Sequence, residues 1–370
     1  MERSIPKVET LHWFIDEKKK QMKKTKYTLA ILMFALLSFN STAQDVHFSQ
    51  FYETPQLINP ALTGDFNGDI RAIINYREQW KTIGNPFQTS MFSFDAGVIK
   101  KKWARAVLNA GIMAYNDKAG ASQFGTTQVN VSVSARVAVS EKHKISAGLQ
   151  GGFAQKGIGN SELSWSNQFN GDAYDPNISS GEEALLNTEP FFYGDFATGL
   201  SWSYVNKPKN MASNDKITAN VGVALFHVNK PKQEFYFDEL ENLYSKMVIH
   251  GKTSIGLRGV NMAIIPSFYM AIQNTAKEIN AGGFIKYRLK EESKHTGLIK
   301  EAAIYLGGHY RVGDAFIPSL FLDVANFSLG VSYDLNISGL KEVTQGNGGL
   351  EISLRYINPN PYKGGGGAMF

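Results

Sequence analysis

An alternation of apolar and small polar residues recurs along most of this chain, from residue 69 to residue 356. Within residues 128–139, valine or alanine fills every second position, and Asn130, Ser132 and Ser134 lie between them. Successive side chains of a strand point to opposite faces, so one face suits acyl chains and the other a polar lumen. After Phe39 no apolar run is long enough for a membrane-spanning helix. The pattern therefore predicts an all-β fold, a transmembrane antiparallel β-barrel.

About fourteen segments carry this alternation over the ~9 to 11 residues that a transmembrane strand needs. An even number is typical of bacterial barrels, whose strand series begins and ends in the periplasm, and twelve or sixteen strands also fit the pattern. No linker-like composition shift divides the region, which favours one barrel domain over residues 69–357. The predicted strands span residues 69–80, 88–98, 104–115, 126–139, 143–156, 191–205, 217–228, 247–259, 262–273, 278–289, 302–312, 315–325, 327–336 and 348–357.

Residues 1–43 have the features of a presequence. Lys23, Lys24 and Lys26 precede a mostly apolar stretch over residues 27–39, and residues 41–43 supply small side chains for a cleavage site. We expect a cleaved signal peptide over residues 22–43, with Met22 as the true start. The alternative is a cytoplasmic tail with a signal anchor, but the apolar stretch is shorter than the ~20 residues that span a bilayer.

The positive charge of the whole chain lies largely in that presequence. Eight of the 38 Lys and Arg and four of the 33 Asp and Glu precede residue 44, which leaves 30 basic and 29 acidic residues. A nearly neutral mature chain does not indicate a nucleic-acid partner. The chain contains no cysteine, which excludes disulfides, thiolate metal sites and a lipid-anchored N-terminus.

Motifs for catalysis or cofactor binding are missing from the sequence. The seven histidines are scattered without an HExxH pattern, and neither a GxSxG elbow nor a GxxxxGK[ST] loop occurs. We therefore expect no enzymatic activity, no cofactor and no metal.

Three further regions have distinct patterns. Residues 44–68 show too little alternation for a strand, and we expect a periplasmic cap or a plug; residues 358–370 contain four consecutive glycines and are expected to form a flexible tail. The connection over residues 232–246 interleaves acidic residues with four aromatic ones, a mixture that interfaces favour. We expect it to contact a partner, although a solvated outer loop has the same composition. Its aromatic residues are Phe235, Tyr236, Phe237 and Tyr244.

Motifs at both ends of the mature region resemble one known family. They occur in residues 45–52, 57–64, 75–80, 93–95, 331–334 and 348–354. In this order they are similar to the PorP/SprF family of outer-membrane proteins, associated with the type IX secretion system and gliding motility of Bacteroidetes. The motif residues that we single out are Asn59, Pro60, Ala61, Tyr76, Arg77, Gln79, Trp80, Asp95, Tyr333, Asp334 and Glu351.

The resemblance implies a β-barrel in the outer membrane, surrounded by lipid, that aids secretion or surface anchoring of a cargo protein such as a large adhesin. Its implied partners are type IX secretion components and that cargo. The alternative is a porin or small-solute channel, because a fourteen-stranded barrel is wide enough to conduct unless its lumen is filled.

The first strand allows one prediction about the lumen. Arg77 shares a face with Asn75 and Ile73, opposite Tyr76. We predict that Arg77 points into the lumen and pairs with Asp95 on the next strand. A hydrated Arg77 at the rim is the alternative.

Overall fold

A computed structural model describes residues 45–101, 106–159, 163–181, 190–206, 216–233, 241–290, 302–339 and 341–358. All of them belong to one unit, residues 44–370. The predicted signal peptide and start site, residues 235–237 of the predicted partner-contact loop and nearly all of the C-terminal tail lie outside the described residues.

Fourteen antiparallel strands close into a barrel, which confirms the predicted fold class and strand number. Each strand pairs with its neighbours in sequence, and the first pairs with the last to complete the ring. The strands are β1 Ile70–Gln79, β2 Phe87–Lys101, β3 Ala106–Ala119, β4 Phe124–Ala138, β5 His143–Gly157, β6 Phe191–Asn206, β7 Ile217–Phe226, β8 Lys246–Gly256, β9 Met262–Gln273, β10 Ala276–Lys290, β11 Ala302–Arg311, β12 Ala315–Val324, β13 Phe327–Asn336 and β14 Asn347–Asn358.

Short helical turns complete the described structure. Three lie before β1, at Phe51–Glu53, Pro55–Ile58 and Pro60–Leu62. The others, at Lys81–Ile83, Ser166–Gln168 and Lys341–Thr344, lie in connections between strands. Among the described residues, no helix has the length and apolar character that a membrane crossing requires.

The two faces of the wall differ as the alternation predicts. On β4, Val131 and Val133 are more than half exposed on the outside, whereas Asn130, Ser132 and Ser134 are buried inside. Leucine, isoleucine, valine and phenylalanine cover the outside of the other strands in the same way. Lipid chains can solvate such a surface without any specific partner.

The two ends of the barrel differ in their connections. One end, here called the loop-bearing mouth, carries the connections over residues 158–190, 227–245 and 337–346. The other end, called the opposite mouth, carries turns such as residues 139–142 and 325–326, together with the start of β1 and the end of β14. A two-stranded ladder, Lys232–Gln233 with Glu241–Asn242, lies within the connection 227–245.

Candidate functional site

Residues 45–68, here called the lumenal segment, run through the barrel from one mouth to the other. At the loop-bearing mouth Asp45 contacts His227, the first residue of the connection 227–245, and Lys246, the first residue of β8. At the opposite mouth the backbone N–H of Asp69 donates to the carbonyl of Asn358, and β1 follows. The segment therefore enters the wall at the end of the barrel opposite to the one where Asp45 lies.

Two apolar clusters inside the lumen are built on this segment. Phe51 and Ile58 pack against wall residues of β6 to β9, among them Phe226 and Tyr269. Phe48 packs against Met91 and Met113, two buried side chains of β2 and β3. The lumenal segment thus completes two apolar clusters to which the wall contributes most of the buried side chains.

Asn59, Pro60 and Ala61 lie at the tightest contact between the segment and the wall. The Asn59 side chain accepts from the Ala61 N–H (2.9 Å) and so caps the turn that begins at Pro60. Its amide nitrogen donates to the carbonyl of Leu200 on β6 (3.0 Å) and lies 3.0 Å from His250 Nε2 on β8. One side chain therefore joins the segment to non-adjacent wall strands.

Glycines of the wall make this contact possible. A Cβ at Gly148 on β5 would lie 2.3 Å from the backbone of Pro60 and Ala61, and a Cβ at Gly199 on β6 would lie 2.0 Å from the Asn59 side chain. No real Cβ tolerates such distances, so the wall needs glycine where the motif rests. The sequence shows these glycines, but only the barrel closure brings them under residues 59–61.

A carboxylate on β14 holds the backbone of the segment. Glu351 accepts hydrogen bonds from the N–H groups of Ser49 (2.7 Å) and Gln50 (2.9 Å). The Gln50 side chain donates in turn to the hydroxyl of Ser332 on β13 (3.0 Å). Glu351 therefore binds a peptide segment some 300 residues before it in the chain.

The predicted lumenal position of Arg77 is confirmed, but its predicted partner is not. It is buried and pairs with Asp334 (3.0 Å), while its Nε lies 3.9 Å from Glu351. Asp334 also accepts from Arg311 (3.2 Å) and from the Ser49 hydroxyl (2.8 Å). These residues form a charged cluster beside residues 47–50.

The predicted pair of Arg77 with Asp95 is wrong. The connection between β1 and β2 sets a register in which Arg77 lies opposite Thr89, and Asp95 lies opposite Arg71. Asp95 accordingly binds Arg71 (2.7 and 2.9 Å) and accepts from the N–H of Gly64 (2.6 Å). The two residues lie near opposite mouths, because register is fixed by turn geometry that side-chain alternation does not report.

The remaining motif residues lie away from the lumenal segment. Tyr76 is on the outer face of β1, and Gln79 is the last residue of that strand. Trp80 follows with a left-handed φ of 56° and packs edge-on against Phe87 at 4.9 Å. The Tyr333 hydroxyl donates to Asn347 across the β13–β14 hairpin (3.0 Å). These four residues lie on the outer face or near the strand ends at the loop-bearing mouth.

The loop-bearing mouth also contains a buried charged site that the sequence pattern does not predict. His227 lies between two carboxylates, with Nε2 2.6 Å from Asp45 and Nδ1 2.9 Å from Asp195, and Lys246 lies 3.0 Å from Asp45. Burial lowers the pKa of His227, but the two carboxylates outweigh burial and raise that pKa to about 9. Scattered histidines and acids far apart in sequence gave no signal for this site.

Of the four aromatic residues of the predicted partner-contact loop, Tyr244 is the one within the described structure. Its side chain is largely exposed, and its carbonyl accepts from the Gln273 side chain (3.2 Å). Phe235, Tyr236 and Phe237 lie outside the described residues.

Small cavities lie between the lumenal segment and the wall. Cavities of about 40 and 50 Å³ lie beside Tyr52 and Lys252. Volumes of this size hold a few water molecules. Among the described side chains, no group of three or more His, Asp or Glu is placed to hold a metal ion.

Fold and site together define a transmembrane β-barrel of the outer-membrane type, with an apolar belt outside and a polypeptide segment packed inside. The family model for the type IX secretion system membrane protein PorP/SprF matches residues 40–356. The chain belongs to this family. It is therefore an outer-membrane barrel related to type IX secretion. No curated protein matches the chain.

Similar solved structures include other outer-membrane barrels at low identity. CdiB from Acinetobacter baumannii is 8% identical over 78% of this chain and 60% of its own, with a TM-score of 0.40. BamA from Haemophilus ducreyi, lacking POTRA domains 1–3, is 11% identical over 79% and 70%, with a TM-score of 0.41. The β domain of the Bordetella autotransporter BrkA is 11% identical over 78% and 99%, with a TM-score of 0.36. The chain thus spans about three fifths of the length of CdiB.

Proposed function

We propose that this barrel is an accessory of the type IX secretion system that aids secretion or surface anchoring of a cargo protein, such as a large adhesin. The observation that supports this proposal is the filled lumen, since residues 45–68 occupy the space through which a solute would pass. We therefore propose that this barrel works at its mouths rather than through its centre.

The loop-bearing mouth is the proposed surface for the cargo and for other secretion components. Its described connections expose aromatic side chains, including Phe169, Tyr174 and Tyr244. Exposed aromatic residues among polar neighbours are typical of protein interfaces. We propose that the connection with Phe235, Tyr236 and Phe237 belongs to the same surface.

The second candidate function is a small-solute channel. It is favoured by the polar wall, on which Ser132, Asn75 and Ser254 would face water if the lumenal segment were absent. Conductance in planar bilayers separates the two functions. We expect no steady conductance from the intact protein, and a steady ohmic current would favour the channel.

We also propose that the barrel has no enzymatic role. The Ser267 hydroxyl lies 2.7 Å from His309 Nε2, but both side chains are buried, and Phe51 and Tyr52 pack on the His309 ring. His309 Nδ1 has no hydrogen-bond partner among the described residues, so the orienting acid of a catalytic triad is missing there.

The decisive experiment compares the proteins of the cell surface and of the culture medium with and without this gene. We expect one large secreted protein to leave the surface. Its retention inside the cell indicates an export role, and its release into the medium indicates an anchoring role. Unchanged secreted proteins together with reduced uptake of a small solute would reject the accessory role.

A second experiment tests the proposed contact surface. Replacing Phe235, Tyr236 and Phe237 together by alanine should reduce the amount of cargo retained at the surface. The control replaces Glu141 and Lys142, two exposed residues of the turn 139–142 at the opposite mouth, and should leave retention unchanged. Full retention in the triple variant would remove the connection 227–245 from the proposed surface.

A further inference from the structure

The lumenal segment is held differently at its two ends. Its C-terminal part, residues 54–66, contains two of the helical turns and packs its backbone directly on the wall at Gly148. Its N-terminal part, residues 45–50, is neither helix nor strand and is held mainly by charged side chains of the wall. Close backbone packing weakens steeply on displacement, because a gap of about 0.5–1 Å already forfeits a quarter to a half of the dispersion attraction. Charged groups, in contrast, can exchange their partners for water.

The C-terminal part is also tied to several strands of the wall. Asp65 accepts from Arg136 on β4 (2.8 Å), from Ser203 on β6 (3.1 Å) and from Asn220 on β7 (3.0 Å). The Ser134 hydroxyl donates to the carbonyl of Thr63 (2.6 Å). The chain then continues directly into β1, so this part cannot leave without deforming the first strand.

The wall behind the N-terminal part is already paired with itself. Arg77 binds Asp334 (3.0 Å), and Arg311 binds both Asp314 (2.8 Å) and Asp334 (3.2 Å). If residues 45–50 moved into solvent, Arg77 and Arg311 would keep these partners and gain water, and Glu351 would exchange the N–H groups of Ser49 and Gln50 for water. Such an exchange of hydrogen bonds changes the free energy little. The main apolar contact opposing it is Phe48 on Met91 and Met113.

The outermost contact of this part ties it to a single connection. Asp45 binds His227, which directly follows β7, and Lys246, which begins β8. The Ser245 hydroxyl donates to the carbonyl of His227 (3.1 Å) and closes the base of the same connection. Movement of the connection 227–245 therefore acts on both residues that hold Asp45.

We propose that residues 45–50 are a releasable gate at the loop-bearing mouth, while residues 54–66 are a fixed plug. The ends of the connection 227–245 latch the gate through Asp45. A displacement of that connection frees residues 45–50 and exposes the charged cluster of Arg77, Asp334 and Glu351. Through its fixed plug the barrel stays closed at the opposite mouth in both states.

The cysteine-free chain allows each part to be probed by one introduced thiol. Ser332→Cys reports on the gate, because Ser332 is buried and accepts from the Gln50 side chain. Ser134→Cys reports on the plug, because Ser134 is buried under Thr63. The rate of maleimide labelling of the purified full-length protein measures how often each thiol is exposed.

Asp45→Asn combined with Phe48→Ala should accelerate labelling of the Ser332→Cys thiol about tenfold or more, as expected for a minor open state raised by loss of the latch. The Ser134→Cys thiol should remain as slow as before. Asp65→Asn is the matched control, since it removes the same type of contact at the fixed end and should leave labelling at position 332 unchanged.

Two outcomes would overturn the inference. Equal labelling of position 332 with and without the latch means that residues 45–50 do not move, and equal acceleration at both positions means that the whole barrel has loosened. Resistance of each variant to SDS without heating serves as the folding control. If the double variant does not fold, the nearly isosteric single variant Asp45→Asn is used instead. The labelling rates at positions 332 and 134 then test the inference in the same way.

Discussion

The outer and inner faces of this barrel wall are made by the same fourteen strands but obey different rules. Outward positions are occupied by Val, Ile, Leu and Phe, which lipid solvates without regard to identity. Many inward positions contact one particular partner, such as Asp95 with Arg71 or Gly148 with the backbone at Pro60. The outer face therefore tolerates exchange among apolar residues, whereas the inner face depends on particular side chains.

The largest effect should follow from removing one member of the inner charged cluster. Asp334→Ala leaves Arg77 and Arg311 buried with fewer partners, which should lower the free energy of unfolding by about 3–5 kcal/mol. Urea unfolding of the purified protein in detergent measures this loss. Glu342→Ala, at an exposed position in a connection, should change stability by less than about 0.5 kcal/mol. Equal effects of the two changes would contradict the specificity of the inner face.

On the outer face, the loss of stability caused by a substitution should depend more on its depth in the membrane than on which apolar residue is replaced. Val131→Arg places a charge in the middle of β4 and should reduce the free energy of unfolding by about 2–4 kcal/mol. Val139→Arg, just beyond the end of the same strand, should reduce it by about 1 kcal/mol or less. Refolding into lipid vesicles, with folded fractions read from gel mobility, compares the two. A large cost at position 139 would show that the apolar belt extends beyond the strand end.

Adding one methyl group should affect stability differently at two glycines of the wall. Gly148→Ala places a Cβ against the backbone of Pro60 and should lower the free energy of unfolding by about 1–3 kcal/mol. Gly194→Ala is the control, because the nearest atom to its Cβ would be a carbonyl oxygen at 3.9 Å. Thermal unfolding in detergent measures both variants, and unchanged stability of Gly148→Ala would mean that the lumenal segment is not tightly seated.

The smallest effect should come from the protonation of His227. Since its folded pKa of about 9 lies above the ordinary value, its contribution to stability is complete below about pH 6.5 and is lost as the pH rises through 9. Asp45 is a quarter exposed, so solvent screens part of the interaction and we expect a loss of about 1 kcal/mol. Unfolding midpoints from pH 6 to pH 10 should show this loss in the unaltered protein but not in His227→Gln. Identical pH profiles would exclude His227 as the titrating group.

The alternation of the sequence was sufficient to predict the strands and the face on which a side chain lies. The fourteen strands and the inward side of Arg77 follow from period two, because side-chain direction is a local property. The pairing of Asp95 with Arg71 rather than Arg77 depends on the register across residues 80–86, which is a property of the turn. The site of Asp45, His227 and Lys246 depends on a segment threaded through a closed ring, and no local pattern reports it.

The hydrogen bonds from residues 49 and 50 to Glu351 also have a kinetic consequence. These groups are 302 and 301 positions apart, and Glu351 lies on the last strand, which closes the ring against the first. Contacts of such long range form slowly, because a large loop must close before they contribute. The lumenal segment cannot gain its full set of partners until β14 has paired with β1. The lumenal segment therefore reaches its final position in the same late step in which β14 pairs with β1. A chain that stops folding before this step exposes an unpaired strand edge and inward-facing polar groups without their hydrogen-bond partners.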